Sequence, residues 1–598
     1  MEGTAQTLYW FPNESVKVEV PFFQRPYVWD EEEWDELIAS IKSANDNAMP
    51  FIGSFILQKL SDRYYVIDGQ QRITTLSVLI KAFLDTFNFT EETKDSRSQF
   101  MNFIYTTALH GLKAVYSSRL IPSIVDKNDF DAVMSLDSSP LDNKGAIVRA
   151  YYYFVKFFKS CSNEELEVFG AKLLTNKKFF IAIILDAQDD EQKIFDSVNS
   201  LGKDLTKADI IKNYLYQRMK EAVNNDPTMV ETILKHHDKY WLQTFYSDEK
   251  RDFWETKKLM GRIPTNNLEA FLKDFAIIKG FYSSYNSGGV AGLAKAYKEH
   301  INPMTYADLT SFSKELSDYA NCYYDYNSEY LKMDDFRISD VTNTTLLVMD
   351  CLETTTFNPY ILKTIKESPA DIDNKLFALQ RFIFARFLYK AKTKNYNKVC
   401  DVLLTSQNEI EYLNTYDDDS FDIKEFPASL KRPSSNKQAS LVLFMLELIR
   451  RKDQENNYSD SMKFALSLEH IMPQKWEKNW SGVSSWQYDE STKEYVAVTE
   501  YNELISNRKK MISAIGNMTL LTATLNSKLG NASFLEKITG NSNFSGYEKY
   551  AGNLSIAKEI IDVYNEQGKW DERNIHERSL QIFNELNAHF KFSEQSFC

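Results

Sequence analysis

The chain has 598 residues, 43% of them apolar and 26% charged, with a net charge of −14. That length exceeds one hydrophobic core and points to roughly two to four domains, and the composition excludes a disordered or fibrous protein. The longest apolar run, 179-FFIAIIL-185, is too short for a bilayer-spanning helix, so no membrane partner is expected. The opening MEGTAQTLYWFPNESV lacks the basic start and apolar stretch of a secretory signal. Five cysteines, at 161, 322, 351, 400 and 598, are odd in number, far apart and without a C-x-x-C. Neither a disulfide framework nor a cysteine zinc site is expected, and a reducing cytoplasm is the expected compartment.

The acidity argues against a long non-specific nucleic-acid surface but leaves room for a local one. Residues 461–540 hold nine Lys/Arg against eight Asp/Glu, a local net of +1, so the remainder carries −15. A basic run, 508-RKK-510, lies inside this segment.

In chain order, Asp30 with Glu33 predicts a capped helix start, and Trp34, Leu37, Ile38 and Ile41 fall on one face of the helix that follows. The runs 51-FIGSFILQKL-60 and 63-RYYVID-68 flank Ser61-Asp62 and predict a β-hairpin. A helix then carries Ile73, Leu76, Ile80, Phe83, Leu84 and Phe87 at 3–4 spacing. Residues 90–175 read as mainly helical, and a strand is expected at 179–185. Gly202 suits a helix C-cap, and Thr206 with Asp209 predicts the next helix start. From about 221 to 425 the pattern is helical and aromatic, with 376-LFALQRFIFARFLY-389 apolar nearly all round and therefore buried. The stretch 427-PASLKRPSSNKQ-438 reads as a linker or exposed loop.

The corner Asp68-Gly69-Gln70-Gln71-Arg72 joins the 63–68 strand to a helix. A helix N-terminus offers unpaired N–H groups and partial positive charge, which suits an anion. Gly69 lets backbone approach a ligand, Arg72 can grip phosphate with a planar fork, and Asp68 can hold Mg²⁺ or orient a water. Gln70 and Gln71 are neutral groups able to position a phosphate or a nucleophile. Without G-x-x-x-x-G-K-[ST] this is not a P-loop. Taken alone the string also reads as a turn followed by a solvated arginine. Its context adds weight: 21-PFFQRPYVW-29 holds a second Gln-Arg between aromatics, and Asp209, Lys212 and Asn213 share a helical face behind the Asn199–Gly202 corner.

The ordered set PFFQRPYVW, IGSFIL, IDGQQRITTL and IFDSVNSLGKDLTKADIIKNYL resembles the N-terminal domain of GmrSD-type restriction endonucleases over roughly residues 10–220. The resemblance implies a ParB/sulfiredoxin-like fold that hydrolyses a nucleoside triphosphate, GTP or ATP. It implies a nucleotide pocket lined by Gln24, Arg25, Asp68, Gly69, Gln70, Gln71 and Arg72, with Asp68 and Arg72 catalytic. Asn199, Asp209 and Lys212 lie in the family's second signature and are implied to assist.

A second constellation lies toward the C-terminus. The run 464-FALSLEH-470 alternates like a strand, with Phe464, Leu466, Leu468 and His470 on one side. Residues 515-IGNMTLLTATLNSKLGNASFLEKI-538 predict a turn, a returning strand and a short helix. Two strands and a helix make the ββα-metal frame of HNH nucleases. That chemistry needs a neutral His to take a proton from water and a hard cation on oxygen ligands; Glu469, His470, Asn517 and Asn526 are groups of those types.

EHIMPQ, IGNMTLL, FLEK and WDERNIHER resemble the C-terminal nuclease domain of the same GmrSD-type proteins over about 440–598. By resemblance His470 is the general base, Asn517 orients it, and Glu469 and Asn526 are ligands of Mg²⁺ or Mn²⁺. Lys537 and Arg578 are implied to contact DNA phosphate. Asn531 rivals Asn526 for the third position, and a regular strand would put Glu469 on the face opposite His470. His470 and Asn517 are 47 residues apart, which requires an insertion, with Trp476, Trp480 and Trp486 expected to pack within it. His236 and His237, about 100° apart on a helix, are expected at the surface, and 322-CYYDYNSEY-330 at the surface or in an interface.

The expectation is an α+β multi-domain protein: a ParB-like nucleotidase over 1–220, a helical linker domain over 221–439 and an HNH nuclease over 440–598. The function expected is anti-phage restriction by a nucleotide-regulated, divalent-metal-dependent endonuclease or nickase acting on foreign, modified double-stranded DNA. Two alternatives stay open, a nucleotide-dependent DNA sensor that recruits a partner and a ribonuclease-type toxin. Homo-oligomerisation is compatible with the sequence.

Overall fold

The computed structural model describes residues 2–10, 17–43, 52–59, 63–110, 113–136, 145–175, 179–185, 206–224, 226–260, 263–283, 289–418, 421–453, 459–549 and 553–592. The chain divides into two compact units, one of residues 1–249 and 288–315, the other of 250–287 and 316–598. The helical span 221–439 is thus shared between them. Among the described residues no helix is long and apolar enough to cross a membrane.

The first unit is built on a mixed six-stranded sheet. Its strands are β1 (Glu2–Gln6), β2 (Lys17–Glu19), β3 (Ser54–Lys59), β4 (Arg63–Asp68), β5 (Leu120–Ile121) and β6 (Phe180–Leu185), in the order β1-β6-β3-β4-β2-β5. β3 and β4 form the expected hairpin, irregular in register at Ile56/Leu57. β6 runs parallel to β3, and β2 parallel to β4. Helix α1 (Glu31–Ser43) begins where Asp30 N–H donates to Glu33 Oε2 at 2.9 Å, and it buries Trp34, Leu37, Ile38 and Ile41. Helix α2 (Gln70–Thr86) packs against α3 (Ala146–Ser160) and buries all of Ile73–Phe83, more than one face. Between them Phe83 lies edge-on to Phe158 and Phe100 at 5.4 and 5.3 Å. The mainly helical reading of 90–175 missed one hairpin, Tyr105–His110 with Lys113–Ser118. Its threonines, valine and tyrosines are β-formers.

The second unit is mostly helical. The segment 376–388 lies in a helix, Ile372–Leu388, which Tyr389 caps, with Leu376, Leu379, Ile383 and Phe384 buried. Two surface readings are corrected. Tyr323 and Tyr326 are buried, with Tyr323 stacked on Trp254 at 5.7 Å, because helical spacing turns them inward. The expected loop 427–438 contains the helical turn Ala428–Lys431, in which Leu430 is fully buried.

Toward the C-terminus β7 (Ser467–His470) pairs antiparallel with β10 (Met518–Leu521), setting His470 opposite Met518 and Glu469 opposite Thr519. The insertion between them folds as a second hairpin, β8 (Ser485–Asp489) with β9 (Glu494–Val498), followed by the helix Tyr501–Ile512. Helices Ala523–Leu529, Phe534–Thr539, Ser555–Gln567 and Glu572–Phe590 follow β10. Their core includes Trp476, Trp480, Leu521, Leu525, Ile538, Ile560, Trp570 and Ile575.

Candidate functional site

The strand–helix corner of the first unit opens at Gly69, which holds φ +96° and caps α2 without any side-chain hydrogen bond. The first N–H groups of α2 are therefore left without a capping side chain, as an anion site requires. A Cβ at position 69 would stand 2.6 Å from Phe55 Cδ1 and 3.1 Å from the Ser54 carbonyl. Glycine is thus fixed by both backbone and crowding.

The two Gln-Arg strings meet here, but not as ligand groups alone. Gln71 is buried; its Oε1 accepts from Val28 N–H at 2.8 Å and its Nε2 donates to the Pro26 carbonyl at 3.1 Å. Gln24, also buried, donates to the carbonyls of Val66 at 2.6 Å and Ile67 at 3.3 Å. These two glutamines lash the 21–29 segment to the corner. Both amide groups of Gln71 are thereby engaged, which does not fit the lining role expected of it, and Gln24 commits its Nε2 in the same way. Gln70 differs: it is buried and its Oε1 has no hydrogen-bond partner among the described residues. Arg72, half-buried, donates to the Ser54 carbonyl at 2.6 Å and stands 3.7 Å from Asp68.

The second signature packs against the same segment. Thr206 caps the helix Lys207–Ala222 by accepting from Asp209 N–H at 3.1 Å, and its hydroxyl donates to Asp209 Oδ2 at 2.7 Å. Lys212 Nζ donates to Asp209 Oδ1 at 3.3 Å, with both side chains buried. Burial depresses the Lys212 pKa, and the Arg25 charge adds to this against the pull of Asp209. Asn213, with its amide nitrogen toward Phe23, donates to the Phe23 carbonyl. Gln24, Arg25, Asp68–Arg72, Asp209 and Lys212 therefore belong to one neighbourhood. Asn199 and Gly202 lie outside the described residues.

His237 was not read as part of this site. It is 1% exposed rather than at the surface, lies 4.5 Å from Tyr216 and 5.1 Å from Phe22 between ring centroids, and neither ring nitrogen has a partner among the described residues. Burial holds its pKa well below 6.5, and the charge of Lys212 adds to this. The five residues after it, Asp238–Leu242, form a π-helical turn, a distortion frequent at functional positions. Neither a turn signal nor a charge pattern marks it in the sequence.

In the second unit His470 ends β7 and is half-buried. Burial, aided by the Lys537 charge, holds its pKa below 6.5. Asn517 is fully buried and clamps the chain just beyond it. Its Oδ1 accepts from Met472 N–H at 2.8 Å and Trp570 Nε1 at 3.2 Å, and its Nδ2 donates to the carbonyls of Met472 at 2.8 Å and Ile512 at 3.1 Å. The Asn517 carbonyl accepts from Ile471 N–H at 2.8 Å. Asn517 thus fixes His470 through the backbone of 471–472; its amide makes no direct bond to the imidazole.

Asn526 donates through Nδ2 to Ser467 Oγ at 2.6 Å and the Leu468 carbonyl at 2.7 Å, which fixes it against β7. Asn531 is exposed, and its carbonyl accepts from Asn479 Nδ2 at 2.8 Å. Glu469 faces inward, as strand alternation requires. Its carboxylate accepts from Lys537 Nζ at 2.5 Å, and the same ammonium donates to the His470 carbonyl at 2.6 Å. Glu469 is therefore paired with a cation already and does not fit the ligand role expected of it. Among the described residues no group of three or more His, Cys, Asp or Glu is arranged to hold a metal.

The phosphate-contact expectation for Lys537 and Arg578 is also corrected, since both are buried. Arg578 pairs with Glu559 at 2.6 Å and donates to the carbonyls of Gly516 and Met518 at 2.7 and 2.6 Å. These cations brace the hairpin from within.

A comparison with family models matches residues 9–216 to the GmrSD restriction endonuclease N-terminal domain and residues 417–585 to the GmrSD restriction endonuclease C-terminal domain. A search of curated proteins returns no match. The two matches cover more than half of the chain in the order and at the positions of the two motif sets, and the chain belongs to the GmrSD restriction endonuclease family.

Proposed function

We propose that the second unit hydrolyses DNA phosphodiesters with His470 as general base, in an HNH-type ββα frame, and that the first unit, ParB-like in fold, binds and hydrolyses a nucleoside triphosphate at the N-terminus of α2. The family match makes this a restriction nuclease, and foreign, modified DNA is the substrate we propose. The observation that carries the nuclease reading is the seat of His470. It closes a two-stranded hairpin, is held by backbone bonds on both sides, and is neutral at pH 7 because its pKa lies below 6.5. A neutral imidazole takes a proton from the water that attacks phosphorus, and the new P–O bond forms as the bond to the leaving oxygen breaks. Asn517 prevents the imidazole from drifting by pinning the two residues after it.

Mg²⁺ or Mn²⁺, when bound, would stabilise charge on the phosphate oxygens and the leaving oxygen. Asn526 Oδ1 suits a hard cation, whereas Glu469, paired with Lys537, does not join it. In the first unit the uncapped start of α2, the Gln70 Oε1 that has no partner among the described residues, and the nearby Arg72 support a site for polyphosphate.

Plasmid nicking with each divalent metal, run beside an RNA substrate, tests the reading. His470→Ala should lower DNA cleavage by at least about 10²-fold while nucleotide hydrolysis persists. Equal cleavage by variant and parent, or cleavage of RNA in preference to DNA, would sink it.

A further inference from the structure

The insertion between His470 and Asn517 builds one wall of an open cavity of about 1160 Å³ within the second unit. Helix Glu572–Phe590 and the segment 424–432 supply the others. Six cations line it: Lys424, Lys431, Arg432, Lys493, Lys509 and Lys510. All six are exposed, and none makes an ion pair among the described residues. Elsewhere in the unit the basic groups that matter to packing are neutralised in place. Arg450 pairs with Glu559 and Glu585, Arg451 with Glu447, and Arg386 with Asp418. In a chain of net charge −14, six unpaired cations around one cavity are a local reversal of sign.

The floor is aromatic. Tyr488 stacks on the His576 imidazole at 4.4 Å, and the Tyr495 hydroxyl meets His576 Nδ1 at 2.9 Å. The Arg573 guanidinium lies 4.1 Å over the Trp486 ring. The carboxylate at the floor, Glu572, is 1% exposed and already holds Arg508 Nε at 2.9 Å and Ser485 Oγ at 3.0 Å. That leaves Glu425 and Glu490 as the acids facing the six cations. Ser513 and Ala514, also in the lining, lead in three residues to Asn517, the clamp beyond His470.

We propose that this groove is the surface on which the nuclease unit holds the phosphate backbone of duplex DNA. The inference rests on the DNA-cleaving reading of the same unit and adds where the strand is gripped. Unpaired, exposed lysines suit phosphate, which they hold without base selection. Phosphate gripped here presents the substrate to a wall continuous with the turn before Asn517.

The test is fluorescence anisotropy of the full-length chain with a labelled plain DNA duplex in EDTA, so that binding is read without cleavage. Lys431→Glu, Arg432→Glu, Lys509→Glu and Lys510→Glu combined should weaken binding at least about 10-fold. They should also flatten the slope of log affinity against log salt by about 3–4, close to one per lost phosphate contact. The same four positions changed to Gln should show the slope change with a smaller loss. A control with Lys94, Lys127, Lys159 and Lys235 changed to Glu carries the same charge change on exposed residues elsewhere and should bind like the parent. Groove variants that bind like the parent, a control that loses as much as they do, or a parent that binds duplex RNA but not DNA would overturn the proposal. A parent that binds through the groove but never cuts leaves this surface standing and removes only the nuclease reading.

Discussion

Lys537→Met removes one partner of the most enclosed ion pair beside His470. The Lys537 side chain is 0% and that of Glu469 7% exposed. Burial raises the Glu469 pKa and lowers that of Lys537, in each case against the attraction of the other. Desolvation therefore outweighs Coulomb attraction on both sides of the pair. Breaking such a pair on one side leaves a buried charge and costs about 3–5 kcal/mol, whereas replacing both members with apolar groups is often close to neutral. The variant also strips the His470 carbonyl of its ammonium donor, an unmet buried acceptor being worth about 1–3 kcal/mol. Lys537→Met should lower stability by about 3–5 kcal/mol, and the double variant Lys537→Met/Glu469→Leu should recover most of it. The pH trend follows from the sign of the Glu469 shift. Its folded pKa lies above the unfolded value of 4.5, so the folded state retains the proton longer and stability is lost as pH rises through the folded value. Removing Lys537 takes away the attraction and hydrogen bond that hold this pKa down, so the carboxyl of the single variant is pushed further up than the parent's, and the variant's deficit should be smaller at pH 5 than at pH 8. Urea unfolding followed by tryptophan fluorescence reads both, because Trp480 and Trp570 lie in the same core. A single variant within about 1 kcal/mol of the parent, or a double variant worse than the single, refutes the reasoning.

Three further outcomes are expected. Gly69→Ala combines a left-handed backbone with a 2.6 Å approach to buried Phe55 and should cost about 1–3 kcal/mol or more; Gly280→Ala, at φ +75° with open space around it, should cost less in the same thermal unfolding experiment, and the reverse order would contradict the crowding argument. Arg72→Ala should weaken nucleotide binding by roughly 10- to 100-fold in calorimetry, from the loss of charged hydrogen bonds worth about 1.5–3 kcal/mol each, with only partial recovery in Arg72→Lys; unchanged binding removes the phosphate role. His237, neutral when folded and with a depressed pKa, contributes stability that is complete above pH 6.5 and is lost as pH falls from there, at up to about 1.4 kcal/mol per pH unit. His237→Phe should flatten that acid slope, and a slope that persists unchanged would assign it to another group.

Much of the architecture was legible because it follows from periodicity. Trp34, Leu37, Ile38 and Ile41 face inward because a 3.6-residue repeat puts them on one stripe, and the β3–β4 pair follows from two β-rich runs at hairpin distance. The β7–β10 pairing was also legible, although its strands are 47 residues apart in attachment, because both read as short apolar strands near a turn. The partners of polar side chains were not legible. Gln71 and Gln24 bond to backbone carbonyls and amides of segments more than 40 residues away, and a carbonyl has no letter in a sequence. The phosphate contact expected of Lys537 came from the family resemblance alone; only the fold brings it to Glu469, 68 residues earlier. His237 gave no sign of burial, since its neighbours Phe22 and Tyr216 come from separate elements.

The hairpin of β8 and β9 is buried at its two base residues, Ser485 and Val498, while the residues between are half-buried or exposed. Its foundations lie elsewhere: Trp480 on one side and Arg508 on the other are locked into the core. Such a hairpin tolerates change at its tip. Lengthening its tip between Asp489 and Glu494 adds only a slowly growing loop-closure cost, about 0.6 kcal/mol per doubling of loop length, and exchanging its outward residues touches neither the His470 seat nor the Asn517 clamp. The tip can therefore be lengthened without disturbing the core beneath it, whereas Trp486, Tyr488 and Tyr495, which line the groove, are held to their places by what they face.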